Sequence, residues 1–217
     1  MRSEEQLKVI LILLLTLVSV LGMAQEWKLH ENSDGVAVYT RKVDGIPIKD
    51  VRINTTLKTS LKEMIAALED FELQENWIKN TKDSKKLEQI SPEHFYFYIA
   101  TDFPFPAKDR DAIIEYKRIQ DPVTKVIEID YKAFPDRLPD YSSYVRMPAL
   151  TASYILTPIA DKEIAVEYYI RADIGGKIPN WIINMAISVG PRDTMLALRD
   201  VLAKGRYAGV EVEGVVD

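Results

Sequence analysis

Alternation of apolar and polar positions at period two runs through much of the chain. Between Val51 and Lys58 the set Val51, Ile53, Thr55 and Leu57 faces one way, and Arg52, Asn54, Thr56 and Lys58 face the other. Ile127, Ile129, Tyr131 and Ala133 alternate with Glu128, Asp130 and Lys132. Ile164, Val166, Tyr168 and Ile170 alternate with Ala165, Glu167, Tyr169 and Arg171. Each run predicts a strand with one dry and one wet face, as in an antiparallel sheet. Less regular runs near 35–43, 83–90, 94–101, 111–119 and 151–158 predict further strands. Asp121-Pro122 and Phe134-Pro135-Asp136 separate neighbours at hairpin-like spacing.

Two regions depart from this period. Ser60-Leu61-Lys62-Glu63 is a capping box and predicts a helix from Leu61 to about Glu69, with a second short helix over Leu73 to Ile78. A longer helix is expected to open at Pro179 and run to about Lys204 before Gly205, with a kink or break at Gly190-Pro191. The pattern therefore predicts one α+β domain: a curved antiparallel sheet of eight or nine strands wrapped around a long C-terminal helix. Such a sheet has two possible interiors, one filled by its own side chains and one filled by a small ligand.

The first 24 residues stand apart. Arg2 and Lys8 precede a run from Val9 to Leu21 broken only by Thr16 and Ser19, and Gly22-Met23-Ala24 supplies small residues where a signal peptidase reads. This is the form of a secretory signal, short for a helix that must cross roughly 30 Å of hydrocarbon. Glu4 and Glu5 weaken its basic start and leave an uncleaved anchor open. Cleavage gives an exported domain of residues 25–217, periplasmic or in the cell envelope.

Composition narrows the function. The 217 residues are 47% hydrophobic and 28% charged, an ordinary globular balance, and no linker or repeat divides them. A net charge of −5 argues against a nucleic-acid partner, whose phosphates call for a basic excess. With no cysteine, disulfides, thiolate metal sites and cysteine nucleophiles are excluded. The only histidines, His30 and His94, lack metal-ligand spacing, and neither a Gly-x-Ser-x-Gly elbow nor a phosphate loop occurs. Nothing calls for a cofactor, a metal or a catalytic residue, and nothing specifies an oligomeric state.

The segment Asp173-Ile174-Gly175-Gly176-Lys177-Ile178-Pro179-Asn180-Trp181 resembles the strand-to-helix turn of the START lipid-transfer domain. Pro104-Phe105-Pro106-Ala107-Lys108-Asp109-Arg110-Asp111 is similar to that family's proline–aromatic turn before an Arg-Asp pair. Asp34 to Tyr39 with Arg41, then Trp77, and Val145-Arg146 before Tyr154 to Pro158, follow in the family's order. The resemblance covers nearly all of 26–204 and implies a helix-grip fold, an apolar tunnel with the C-terminal helix as lid, and one lipid or lipid-like ligand per domain. Departures concern the head group. Gln74 and Ile78 stand where the phosphatidylcholine carriers have Arg and Asp. Tyr116 and Phe97 stand where sterol carriers have a charged pair, and Ile174 replaces the usual Pro.

Under that resemblance Phe97, Tyr116, Ile129, Tyr131, Tyr154 and Tyr168, inward by alternation, are expected to line the tunnel; alternation alone equally describes a packed core. Trp181, Met185 and Ser188 share one face of the lid helix and are expected to close it. Arg110, between Asp109 and Asp111, suggests either an electrostatic site or, the preferred reading, a structural ion pair tethering a strand end. Phe103 and Phe105 either touch a membrane surface transiently or plug the base of the lid. Two other readings stay open: a cyclase or hydrolase of the same fold acting on an aromatic or polyketide substrate, and a domain whose interior is filled by its own side chains.

Overall fold

The computed structural model describes residues 26–139, 141, 143–179, 181–183 and 190–217. The leader, and Met185 and Ser188 of the expected lid face, lie outside the described residues. In chain order the strands are β1 (Lys28–Ser33), β2 (Val36–Val43), β3 (Ile46–Leu57), β4 (Thr81–Ser91), β5 (His94–Thr101), β6 (Arg110–Gln120), β7 (Ile127–Ala133), β8 (Val145–Arg146), β9 (Ala149–Ala160) and β10 (Glu163–Asp173). They form one sheet in the order β1-β2-β3-β10-β9-β7-β6-β5-β4. Those neighbours pair antiparallel, and β8 lies parallel to β6. Helix α1 (Leu61–Glu69) carries the chain from β3, inside the sheet, toward β4 at its far edge, and α2 (Gly190–Ala203) touches α1, β2 and β3. This is the α+β sheet-and-helix arrangement expected from the alternation, and the helix-grip fold that the resemblance implies.

The dry face is where the sequence places it. Val51, Ile53, Leu57, Ile127, Ile129, Ile164 and Val166 are buried in one core with Leu61, Met64, Ile65 and Leu68 of α1 and Met195, Leu198 and Leu202 of α2. Spacings of three and four residues put each helical set on one stripe, and each such side chain contributes about 1.5–3 kcal/mol by burial. The predicted capping box forms: Ser60 Oγ accepts from the Glu63 amide at 3.3 Å, and the Ser60 amide donates to Glu63 Oε2 at 3.3 Å.

Three elements differ from expectation. β1 has no periodicity to read, because it is an edge strand with mostly exposed side chains and a bulge between Leu29 and Glu31. β3 begins at Ile46, before the regular alternation starts. The expected helix over Leu73 to Ile78 is a single 3₁₀ turn, Gln74–Asn76. The opposite edge, β4, displays Lys82, Lys85 and Lys86, charges that discourage pairing with another strand. Residues 181–183 are helical and Pro191 falls in the first turn of α2, where a missing N–H costs nothing; residues between them lie outside the described set.

Beyond α2 the chain folds back over α1 and the end of β6. Arg118 donates to the carbonyls of Gly214 and Glu213, Gln120 exchanges two bonds with Val216, and the Tyr207 hydroxyl donates to Asp70 at 2.9 Å. Val215 and Tyr207 are buried by this return.

On the wet face one carboxylate ties three strands. Asp50 of β3, 1% exposed, accepts from Arg41 of β2 at 2.8 Å, and from Tyr169 and Arg171 of β10 at 3.0 Å and 2.7–2.8 Å. Burial alone pushes its carboxyl up, but the bonds from Arg171, Arg41 and Tyr169 outweigh it and hold it below the ordinary 3.8. The stability Asp50 supplies is thus present above that ordinary value and is lost as pH falls through the lower folded one. Asp50→Asn is expected to cost about 2–3 kcal/mol at neutral pH. Urea titrations at descending pH are expected to show the difference from wild type narrowing from about pH 4 downward and vanishing only below the lowered pKa of folded Asp50, where both side chains are uncharged.

Candidate functional site: a cavity between the sheet and the helices

The inner face of the sheet is not filled along its whole length. Near α1 it is solid, and nearer the start of α2 it leaves a cavity of about 290 Å³. Register explains the vacancy. Ala152 of β9 lies between Tyr131 of β7 and Ile170 of β10, and Ala172 of β10 lies opposite Leu150. A methyl group at each position leaves room that a larger side chain would take. Leu68, Trp77 and Ile78 cover the hollow from one side and Pro191 and Thr194 of α2 from another.

An aromatic belt crosses four strands to form the floor. Phe97 of β5 meets Tyr131 edge-on at 6.1 Å between centroids. Tyr131 meets Tyr154 at 6.0 Å, and Tyr154 lies 4.5 Å from Tyr168, its register partner. All four line the cavity. Burial pushes the phenols of Tyr131, Tyr154 and Tyr168 up, so they stay protonated at physiological pH.

The remaining expected lining residues sit elsewhere. Tyr116 belongs to the solid part: its ring stacks on Phe95 at 4.2 Å, and its hydroxyl donates to Glu69 Oε1 at 2.7 Å. Burial raises the Glu69 carboxyl, and the bond from Tyr116 and the nearby Arg118, 3.4 Å away, only partly offset it. Ile129 is fully buried in the same solid part. Both face inward as alternation requires, but under α1, where the space is already filled. Trp181 is 49% exposed and off the lining, so the expected lid face is not built on it among the described residues.

Arg110 corrects the ion-pair reading. Its guanidinium is buried and donates to the carbonyls of Ile174 and Gly175 at 3.1 and 3.0 Å, and to that of Lys108. It therefore fastens the turn after β10, with Gly175 and Gly176 both at positive φ, to the start of β6. The ion pairs are made by its neighbours. Asp111 takes Arg146 in two bonds of 2.9 Å, and Asp109 takes Lys82 at 2.7 Å. Phe103 lies under the Arg110 guanidinium at 4.7 Å and lines the cavity, whereas Phe105 is 92% exposed. Of the two loop aromatics, one plugs and one projects.

Several lining residues carried no periodic signal. Gln74 and Ile78, conspicuous in the sequence as departures from relatives, both face the cavity. Gln74 is spent within the protein: its amide donates to the Leu68 carbonyl at 2.8 Å and its oxygen accepts from Ser84 at 2.5 Å. Ala152 and Ala172 were legible only as small residues in strands, and their meaning depends on what lies opposite.

The START domain family model matches residues 17–204. An uncharacterized protein of Pseudomonas aeruginosa is 30% identical over 183 residues, covering 84% of this chain and 90% of its own. The STAR-related lipid transfer protein of Xanthomonas axonopodis, a solved structure, is 29% identical with a TM-score of 0.75, over 82% of this chain and 98% of that one. Human STARD10 shares the fold, with a TM-score of 0.72 at 18% identity, over 82% of this chain and 73% of its own.

The two kinds of tyrosine differ in what their hydroxyls do for folding. Tyr116→Phe removes a donor from a buried carboxyl and is expected to lower stability by about 1–3 kcal/mol. Tyr131→Phe removes a hydroxyl with no protein partner among the described residues and is expected to change it by less than about 0.5 kcal/mol. Chemical denaturation of the two variants measures the contrast.

Proposed function

Because the chain belongs to the START domain family, we propose that it binds one lipid or other hydrophobic molecule in the cavity between the sheet and its C-terminal helix, and carries it between membranes. The single observation behind this is the hollow itself, floored by the aromatic belt and kept open by Ala152 and Ala172. Withdrawing a hydrocarbon chain from water is favourable by about 0.8 kcal/mol per CH₂, so an apolar hollow holds such a guest with few polar contacts. At about 290 Å³ it lies just below the roughly 300–1,000 Å³ of ligand sites, which favours a slender or compact guest.

Acid–base chemistry on a substrate has little support in the lining, which among the described residues holds no carboxylate or imidazole. The exposed Phe105, on the loop whose Phe103 faces the cavity, is a suitable first contact with a membrane surface. Export is read from residues 1–24 alone, with a periplasmic or envelope location. N-terminal sequencing of the protein recovered from a periplasmic fraction is expected to begin at Gln25, and a sequence retaining Met1 would make the segment an anchor.

Native mass spectrometry of protein purified from its own host, followed by organic extraction, is expected to reveal one bound hydrophobe per chain. Ala152→Phe separates a hollow from a packed core. In a hollow the added ring leaves the melting temperature unchanged or raised while uptake of hydrophobic probes is lost. In a solid interior the same change costs about 1–3 kcal/mol.

A further inference from the structure

The cavity floor has a polarity that the binding of a plain hydrocarbon does not require. Tyr131, Tyr154 and Tyr168 all line it, and none of their hydroxyls has a hydrogen-bond partner among the described residues, although their rings pack against one another along the belt. Tyr116, the register partner of Tyr131 on β6, shows what the fold does when a phenol belongs to the core: it supplies Glu69 at 2.7 Å. A second polar group on the lining is enclosed more fully than these hydroxyls. Trp77 is 4% exposed, and its Nε1–H, a donor only, is enclosed with no acceptor. An enclosed donor is normally satisfied, because leaving it unpaired costs about 1–3 kcal/mol, whereas a hydroxyl that opens on a cavity can be met by water or by a guest.

The charge around these groups is as informative. Within the lining, Gln74 is already bonded at both ends, and Thr194 donates to the Gly190 carbonyl at 2.8 Å. Among the described residues the one cationic side chain on the lining is Lys49, four residues along β3 from Ile53, the register partner of Tyr168. A carboxylate or phosphate placed among the tyrosines would be buried without a counter-charge, at a cost of several kcal/mol. A neutral oxygen incurs no such cost. It accepts from a phenol, and as a hydroxyl it also donates to one.

We infer that the tyrosine floor holds an uncharged oxygen function, a hydroxyl or a carbonyl, of a neutral amphiphile, and that neither a phospholipid head group nor a fatty-acid carboxylate occupies that place. This rests on the hydrophobe-binding reading above and specifies its ligand class. The small volume points the same way, toward a compact or single-chain molecule.

The test uses the full chain and three matched probes: dodecanol, dodecanoate and dodecane, each displacing a fluorescent hydrophobe. The wild type is compared with the triple variant Tyr131→Phe, Tyr154→Phe, Tyr168→Phe and with Lys49→Met. The triple variant is expected to lose about tenfold in affinity for dodecanol while holding dodecane unchanged, with a wild-type-like melting temperature. Equal losses for dodecanol and dodecane, or no loss for either, would overturn the inference. So would dodecanoate binding more tightly than dodecanol through Lys49, shown by its collapse in Lys49→Met; that result would leave the hydrophobe-binding reading intact. If the triple variant melts early, Tyr168→Phe alone carries the same comparison, with a loss of about fivefold expected for dodecanol only. Failure of all three probes to bind the wild type would overturn the inference, and absence of any extractable hydrophobe from host-purified protein would remove the broader reading as well.

Discussion

An apolar space that nothing fills is costly, because the atoms around it forfeit their dispersion contacts and water gains too few polar partners to enter. The structure of this protein turns on where it accepts that cost. Away from the cavity the inward positions are filled: Ile127, Ile129, Leu156 and Tyr116 are buried in one core with Leu61, Met64 and Ile65 of α1, and the returning C-terminal segment adds Val215 and Tyr207. A short distance along the same strands, Ala152 and Ala172 face the start of α2 and the space opens. The solid half provides the stability, and the open half can then be lined for a guest.

What covers the open half is held by a buried cation. Arg110 loses its hydration, which pushes its guanidinium below its ordinary pKa, although nearby Asp109 opposes the shift. The turn carbonyls of Ile174 and Gly175 replace that water. Carbonyls suit this place because they belong to the turn itself: satisfying the arginine fixes the path of the chain from β10 toward the helical residues 181–183. The flanking carboxylates serve the loops instead, Asp111 through Arg146 and Asp109 through Lys82 and the Phe103 amide. One short stretch of β6 thus fixes three neighbouring segments at the end of the sheet nearest the cavity.

The tyrosines divide along the same boundary. The Tyr116 phenol, raised by burial and by the Glu69 charge, belongs to a network with Glu69 and Arg118, whose two terminal nitrogens reach the C-terminal return. Tyr131 lies beside it at 5.4 Å between ring centroids, yet its hydroxyl is on the other side of the boundary, in the lining. Residues of one type paired across two strands thus belong in one case to the packed core and in the other to the lining of the cavity.

Periodicity made the sheet, its dry face and both helical regions legible, because a two-residue repeat and a three-to-four-residue stripe are local consequences of backbone geometry. The capping box at Ser60 and the glycine turn at Gly175-Gly176 were readable for the same reason, each being a contact among near neighbours in sequence. Edge strand β1 escaped, since an element exposed on most sides has no pattern to display. The inward orientation of Phe97, Tyr116, Ile129, Tyr131, Tyr154 and Tyr168 was likewise written in the alternation. Which of them border a void was decided by pairing between distant strands, by where α1 comes to rest, and by the small size of Ala152 beside Tyr131. Alternation reports a direction, whereas an empty volume is a property of every surface that encloses it, and those surfaces meet only in the folded chain.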